Sequence, residues 1–244
     1  MFFLKGDTLG EENQPIARKN FSRQATCSTL CSPDNSGTIN LMNNGYRHLP
    51  RRNWPFCRWL GHMLLRLLGW RIAGTLPDLP KAVIVVAPHT SNWDWVIGMA
   101  AALSLDLDAN WLGKHSLFFG PWGELLRKLG GIPVDRKHPA GVLDQVIQQC
   151  RERDSFLFGL SPEGTRKPIS PWKSGCCRLA QGAGIPLIPV AFDYSRKTIL
   201  IFDHWIPAAA EDPEQCLQRL SSCYKAEMAR KPAGFLNHDA SRGK

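Results

Sequence analysis

The sequence predicts an α/β domain, a mostly parallel central sheet flanked by helices and entered through an N-terminal amphipathic helix. Three features carry that prediction. From residue 82 onward, short apolar runs alternate with segments of helical period, the pattern of strands joined through helices. The first run, Ala-Val-Ile-Val-Val-Ala at 82–87, is apolar throughout and rich in β-branched residues, which suits a strand covered on both faces. Hydrophobic residues make up 43% of the 244 residues, enough for a packed core.

Residues 1–45 are rich in Asn, Ser, Thr, Gly and charge and show no sustained apolar period. Such a stretch buries too little surface to offset its ordering entropy, so a disordered tail is expected, or a misassigned start with translation beginning at Met42. Residues 46–80 hold an amphipathic helix and a linker. Within 51–73, Phe56, Trp59, Leu60, Met63, Leu64, Leu67 and Leu68 recur at helical spacing, while Arg58, His62 and Arg66 fall on another face. Charges interrupt the run well short of the ~20 apolar residues of a membrane span. The helix can lie in a membrane interface, or pack its stripe on the core.

Residues 81–235 form the expected domain. Strands are predicted at 82–87, 110–113, 132–134, 155–160, 186–192 and 198–202. Helices are predicted at 93–105, 121–129, 142–151, 172–181 and 213–230.

The net charge of +9 points to an anionic partner: an anionic membrane, a phosphorylated substrate or nucleic acid. No nucleic-acid-binding motif accompanies the charge, so nucleic acid is set aside. Eight cysteines occur without a C-x-x-C pair, and Cys176 and Cys177 are adjacent. They read as reduced thiols of a cytosolic protein, with no metal site.

Four segments carry chemistry. His89-Thr-Ser-Asn-Trp-Asp94 follows the first strand directly, at the carboxyl end where α/β domains place their sites. A histidine with a nearby carboxylate is a base with its orienter. Ser161-Pro-Glu-Gly-Thr-Arg166 follows the strand ending near residue 160. There Gly164 permits close backbone approach, Glu163 can accept a hydrogen bond that shapes the loop, and Arg166 offers a planar fork for phosphate. Gly130-Gly-Ile-Pro-Val-Asp-Arg136 leaves a short strand and presents an arginine. Gly184-Ile-Pro-Leu-Ile-Pro-Val190 has two prolines, which suggests an edge or irregular strand.

In this order, over about residues 50–205, the four resemble the blocks of the glycerolipid acyltransferase family, the lysophosphatidic acid acyltransferase-like group. The matching residues are His89, Asp94, Arg136, Pro162, Glu163, Gly164, Thr165, Arg166 and Pro189. Residues 112–123, which include Lys114, look like the family's linker between its first two blocks. Ser161 stands where many members carry an aromatic residue, and His115 where many carry an acid. Both departures bear on the acceptor.

The resemblance implies acyl transfer from acyl-CoA or acyl carrier protein, as cosubstrate, to the hydroxyl of a lysophospholipid-like acceptor, with no cofactor. His89 would take the hydroxyl proton and Asp94 would orient it. Arg136, Arg166 and Lys114 would hold the acceptor's anion beside Glu163, Gly164 and Thr165. Backbone N–H groups near Gly164 would meet the oxyanion. The protein would sit peripherally on the cytoplasmic face of an anionic membrane. Rival readings are a lyso-aminolipid acceptor, a non-catalytic lipid-binding protein of the same fold, and a thioesterase using water.

Overall fold

The computed structural model describes residues 46–134, 141–203, 206–207 and 212–239. The expected tail at 1–45 and the expected anion ligand Arg136 lie outside the described residues.

Among the described residues, seven strands form one sheet: β1 (Arg71–Ala73), β2 (Lys81–Ala87), β3 (Ala109–Lys114), β4 (Gly131–Val134), β5 (Phe156–Leu160), β6 (Leu187–Asp193) and β7 (Thr198–Ile201). Their order is β1-β7-β6-β2-β5-β3-β4. Every neighbouring pair is parallel except β6 and β7. This is the mostly parallel α/β architecture that the alternating pattern predicts.

Helices α1 (Pro55–Leu68) and α2 (Trp93–Ser104) cover one face, with Leu65, Ile97 and Ala100 in its core. Helices α4 (Val142–Glu152), α5 (Gly175–Ala183) and α6 (Pro213–Ser222) contribute to the core on the other face. Helix α3 (Gly120–Lys128) joins β3 to β4.

The first helix is shorter than the apolar pattern over 51–73 suggests. It ends at Leu68 because Gly69 turns left-handed at φ 72°. The Gly69 N–H then bonds the Arg66 carbonyl and the Trp70 N–H the Leu65 carbonyl. This closing motif satisfies two orphan carbonyls and reverses the chain. The residues beyond it form β1, a strand absent from the sequence-based expectation, which pairs Arg71 with Thr198 at the sheet edge.

Helix α1 does not bury its wide apolar stripe. Its buried residues are Gly61 and Leu65, whereas Phe56, Trp59, Leu60 and Leu67 are exposed. A Cβ added to Gly61 would lie 2.5 Å from Ser104 N and 2.7 Å from Ala100 O, so glycine sets the close crossing of α1 on α2.

Strand β6 is an inner strand, flanked by β2 and β7, and every residue of it is buried. The two prolines therefore do not mark an edge. Pro189 is tolerated because it lies just beyond the β6–β7 ladder, where its carbonyl still accepts the Phe202 N–H. Only one bond of that pair is forgone.

The last helix also ends early, at Ser222. Two 3₁₀ turns follow, Ala226–Met228 and Pro232–Gly234. Helix α5 begins at Gly175, three residues later than the pattern suggested.

The cysteines are corrected in part. Cys177 on α5 and Cys216 on α6 are joined as a disulfide, with Cα atoms 6.3 Å apart. Packing of the two helices on one face brings them together across 39 positions, a spacing that carries no motif. Cys57, Cys150, Cys176 and Cys223 take no part in a disulfide.

Candidate active site

Strands β2 and β5 are parallel neighbours, with Val85 opposite Leu160. The loops that leave their carboxyl ends therefore meet. One carries His89 and the other Glu163, each within three positions of its strand.

His89 follows the cis Ala87–Pro88 peptide, and its Nδ1 lies 3.2 Å from Asp94 Oδ2. Asp94 sits in the first turn of α2, where the helix dipole favours negative charge, and is 1% exposed. Its Oδ2 also accepts the Ser91 N–H at 2.8 Å, and its Oδ1 accepts the Tyr194 hydroxyl at 2.6 Å. Those donors satisfy a carboxylate that burial would otherwise penalise. With Nδ1–H donated to Asp94, the other imidazole nitrogen is left as an acceptor.

Glu163 lies behind the histidine. Its Oε1 accepts the His89 N–H at 2.9 Å, which ties the two loops together. Burial pushes its carboxyl up to about 7, partly opposed by that hydrogen bond and by the His89 ring. Glu163 does not line the adjoining cavity, whereas Gly164, Thr165 and Arg166 do. Gly164 is left-handed at φ 63°, and its N–H bonds the Ser161 carbonyl at 3.1 Å. That tight turn already uses the Gly164 N–H.

The cavity holds about 920 Å³. Its wall beside the dyad is apolar: Ile84 and Val86 of β2, Trp95 and Met99 of α2, and Gly159 of β5. The Trp95 Nε1–H is a buried donor with no partner among the described residues. Arg166 lines this cavity and also a second one. Lys114 ends β3, is exposed, and lines neither cavity. The structure thus gathers His89, Asp94, Glu163, Gly164, Thr165 and Arg166 and leaves Lys114 aside.

Tyr194 is the polar partner that the sequence reading missed. It follows β6 directly, 100 positions from Asp94. Burial and the bond to Asp94 push its hydroxyl pKa up, so it remains a donor. No local pattern marks it; only the sheet order, with β6 beside β2, brings it near.

Residues 74–193 match the family model described as Acyltransferase. The chain is 29% identical over 143 residues to the 1-acyl-sn-glycerol-3-phosphate acyltransferase of Bacillus subtilis, covering 57% of this chain and 70% of that one. It is 29% identical over 161 residues to the Escherichia coli enzyme of the same name, covering 61% and 64%. It is 30% identical over 151 residues to that of Haemophilus influenzae, covering 58% and 61%. The matches thus span between about three fifths and 70% of those relatives. The crystal structure of the 1-acyl-sn-glycerophosphate (LPA) acyltransferase PlsC from Thermotoga maritima superposes with a TM-score of 0.53 at 17% identity, over 69% of this chain and 75% of that one, and shows the same fold. The matched segment contains the loops that bring His89, Asp94 and Glu163 together, and residues 74–193 form a domain of the acyltransferase family.

Proposed function

We propose that the protein transfers a fatty acyl group from a thioester, acyl-CoA or acyl carrier protein, to the hydroxyl of a 1-acylglycerol-3-phosphate-like acceptor. The observation that carries this reading is the His89–Asp94 pair on the wall of a large apolar cavity. The cavity suits an acyl chain, and Arg166 at its rim suits the acceptor's phosphate.

His89 Nε2 accepts the proton of the acceptor hydroxyl as the oxygen attacks the thioester carbonyl. The imidazolium that forms is stabilised by Asp94, which Ser91 and Tyr194 hold in place. Collapse of the tetrahedral intermediate breaks the C–S bond. The thiolate takes the proton back from His89, leaving the diacyl lipid and a free thiol.

The test pairs the purified protein with labelled acyl-CoA or acyl carrier protein thioester and a panel of lysolipids. Diacyl product is expected, and His89→Ala is expected to lower its rate by about 10²–10⁴-fold while the protein stays folded. Wild-type turnover by a folded His89→Ala protein would remove the histidine from the mechanism. Free fatty acid without diacyl lipid would make the protein a thioesterase.

A further inference from the structure

Beside the catalytic loop lies a second cavity of about 450 Å³, lined by Thr90, Ser91, Asn92, Trp93, Arg166, Arg230 and Lys231. Two of its cations come from the C-terminal segment, beyond the residues 74–193 that match the family. We propose that Arg230 and Lys231 complete, with Arg166, a binding site for a phosphate monoester, and that its occupant is the phosphate of the acceptor lipid. The second half of that statement rests on the function proposed above.

The segment is fixed to the loop it covers. Tyr224 is buried and donates its hydroxyl to the Val85 carbonyl of β2 at 2.8 Å. Met228 and Ala229 are buried, and the Met228 carbonyl accepts the Tyr194 N–H at 2.9 Å. On the far side of Arg230, the Lys231 N–H donates to Thr90 Oγ1 at 3.3 Å. The backbone is thus held before and after Arg230. Its guanidinium lies 5.3 Å from the centre of the Trp93 ring and 3.5 Å from Ser91 Oγ.

Charge makes the case for an anion. Among the described residues, Arg166, Arg230 and Lys231 are in no ion pair with a carboxylate. The two nearby acids do not neutralise them: Asp94 is engaged by His89, Ser91 and Tyr194, and Glu163 is buried behind His89. The first turn of the twelve-residue helix α2 opens on the same cavity at Trp93 and adds its positive dipole end. A phosphate monoester carries about −1.5 to −2 charge near neutral pH and needs several donors at once. Two guanidinium forks, an ammonium and the hydroxyls of Thr90 and Ser91 supply them. Thr90 and Ser91 adjoin His89 in the chain, which sets an anion here close to the hydroxyl that His89 would deprotonate.

The experiment compares the full chain with Arg230→Gln, Lys231→Gln and Arg230→Lys. Each is assayed with 1-acylglycerol 3-phosphate and with the 1-acylglycerol that lacks phosphate. Arg230→Gln is expected to lower the ratio of the two kcat/KM values by about tenfold to a hundredfold, mainly through KM of the phosphorylated acceptor. Lys231→Gln should lower it less, and Arg230→Lys should recover part of the loss. An unchanged ratio in variants that melt at the wild-type temperature overturns the proposal. So does a rise in KM confined to acyl-CoA and absent with an N-acetylcysteamine thioester, which would give the site to the donor's phosphates. A binding readout needs no turnover: titration with glycerol 3-phosphate should change tryptophan fluorescence saturably, glycerol should not, and Arg230→Gln should abolish the change. That result in a protein that acylates nothing would refute the acyltransferase reading and leave the phosphate site standing. If Arg230→Gln fails to fold, Lys231→Gln and Arg230→Lys carry the same comparison.

Discussion

Glu163 is 2% exposed, and its carboxyl is raised from 4.5 to about 7. A carboxyl raised by the fold is one that the folded state prefers protonated. The native protein then binds more protons than the unfolded chain between those two values, so stability falls as pH rises through them. The contribution is intact below about pH 4.5 and has been lost above about pH 7. Glu163→Gln keeps an oxygen for the His89 N–H and removes the charge. It is expected to raise stability on the order of 1–3 kcal/mol above pH 7 and to have little effect at pH 5. Urea titrations of both proteins at pH 5 and pH 8 measure this; an equal difference at the two pH values would show that Glu163 does not titrate in this window. At this scale the sequence was legible where chemistry is local. His89 and Asp94 are five positions apart beside a strand end, so their pairing needed no tertiary information. Tyr194 and Arg230 reach the same loop only through the sheet order and the return of the C-terminal segment, and nothing in their flanking residues announces either.

At the scale of elements, hydrophobic period located the strands and helices that carry the site but misjudged where helices stop. The apolar run continues past Leu68, yet Gly69 ends α1 and Trp70 turns inward, so the pattern looked longer than the helix. A helix stop is decided by one residue's φ, to which a period-based reading is blind. The stripe was also assigned without knowing which face packs. The contact face of α1 is the narrow one around Gly61 and Leu65, because only a glycine lets the helix approach the α2 backbone so closely. Gly61→Ala is therefore expected to destabilise the fold by about 1–3 kcal/mol, despite the better helix propensity of alanine. The denaturation midpoint checks it: a midpoint at or above wild type would mean that α1 and α2 can separate at no cost and that the close crossing is incidental.

At the scale of the molecule, the charge of +9 and the unpacked apolar face of α1 belong to one argument. No helix among the described residues is long and apolar enough to cross a membrane. Phe56 and Leu67 are 69% and 76% exposed, and Trp59 and Leu60 share their side of α1, an arrangement suited to partial insertion at a lipid interface. Not every arginine of the segment is available to lipid. Arg52 bonds the Leu107, Ala109 and Lys128 carbonyls and pairs with Asp108, which clamps the start of α1 to the sheet, and Arg51 lies 3.4 Å from Asp106. Arg58 and Arg66 on α1 have no such partners among the described residues. Binding to anionic vesicles is expected to weaken as salt is raised but to persist in part, since insertion of the apolar face is not screened. Arg58→Gln with Arg66→Gln should lower vesicle affinity by about fivefold per charge, from about 1 kcal/mol each. Trp59→Glu should lower it further and keep the melting temperature, because the ring is 57% exposed and supports no core. Transfer to a detergent-dispersed acceptor should continue in all of these variants. Co-sedimentation with vesicles of mixed anionic and neutral lipid decides the matter. If the arginine and tryptophan variants sediment like wild type, α1 does not face the membrane. If Trp59→Glu unfolds the protein instead, the exposed face of α1 is a packing surface for another part of the chain.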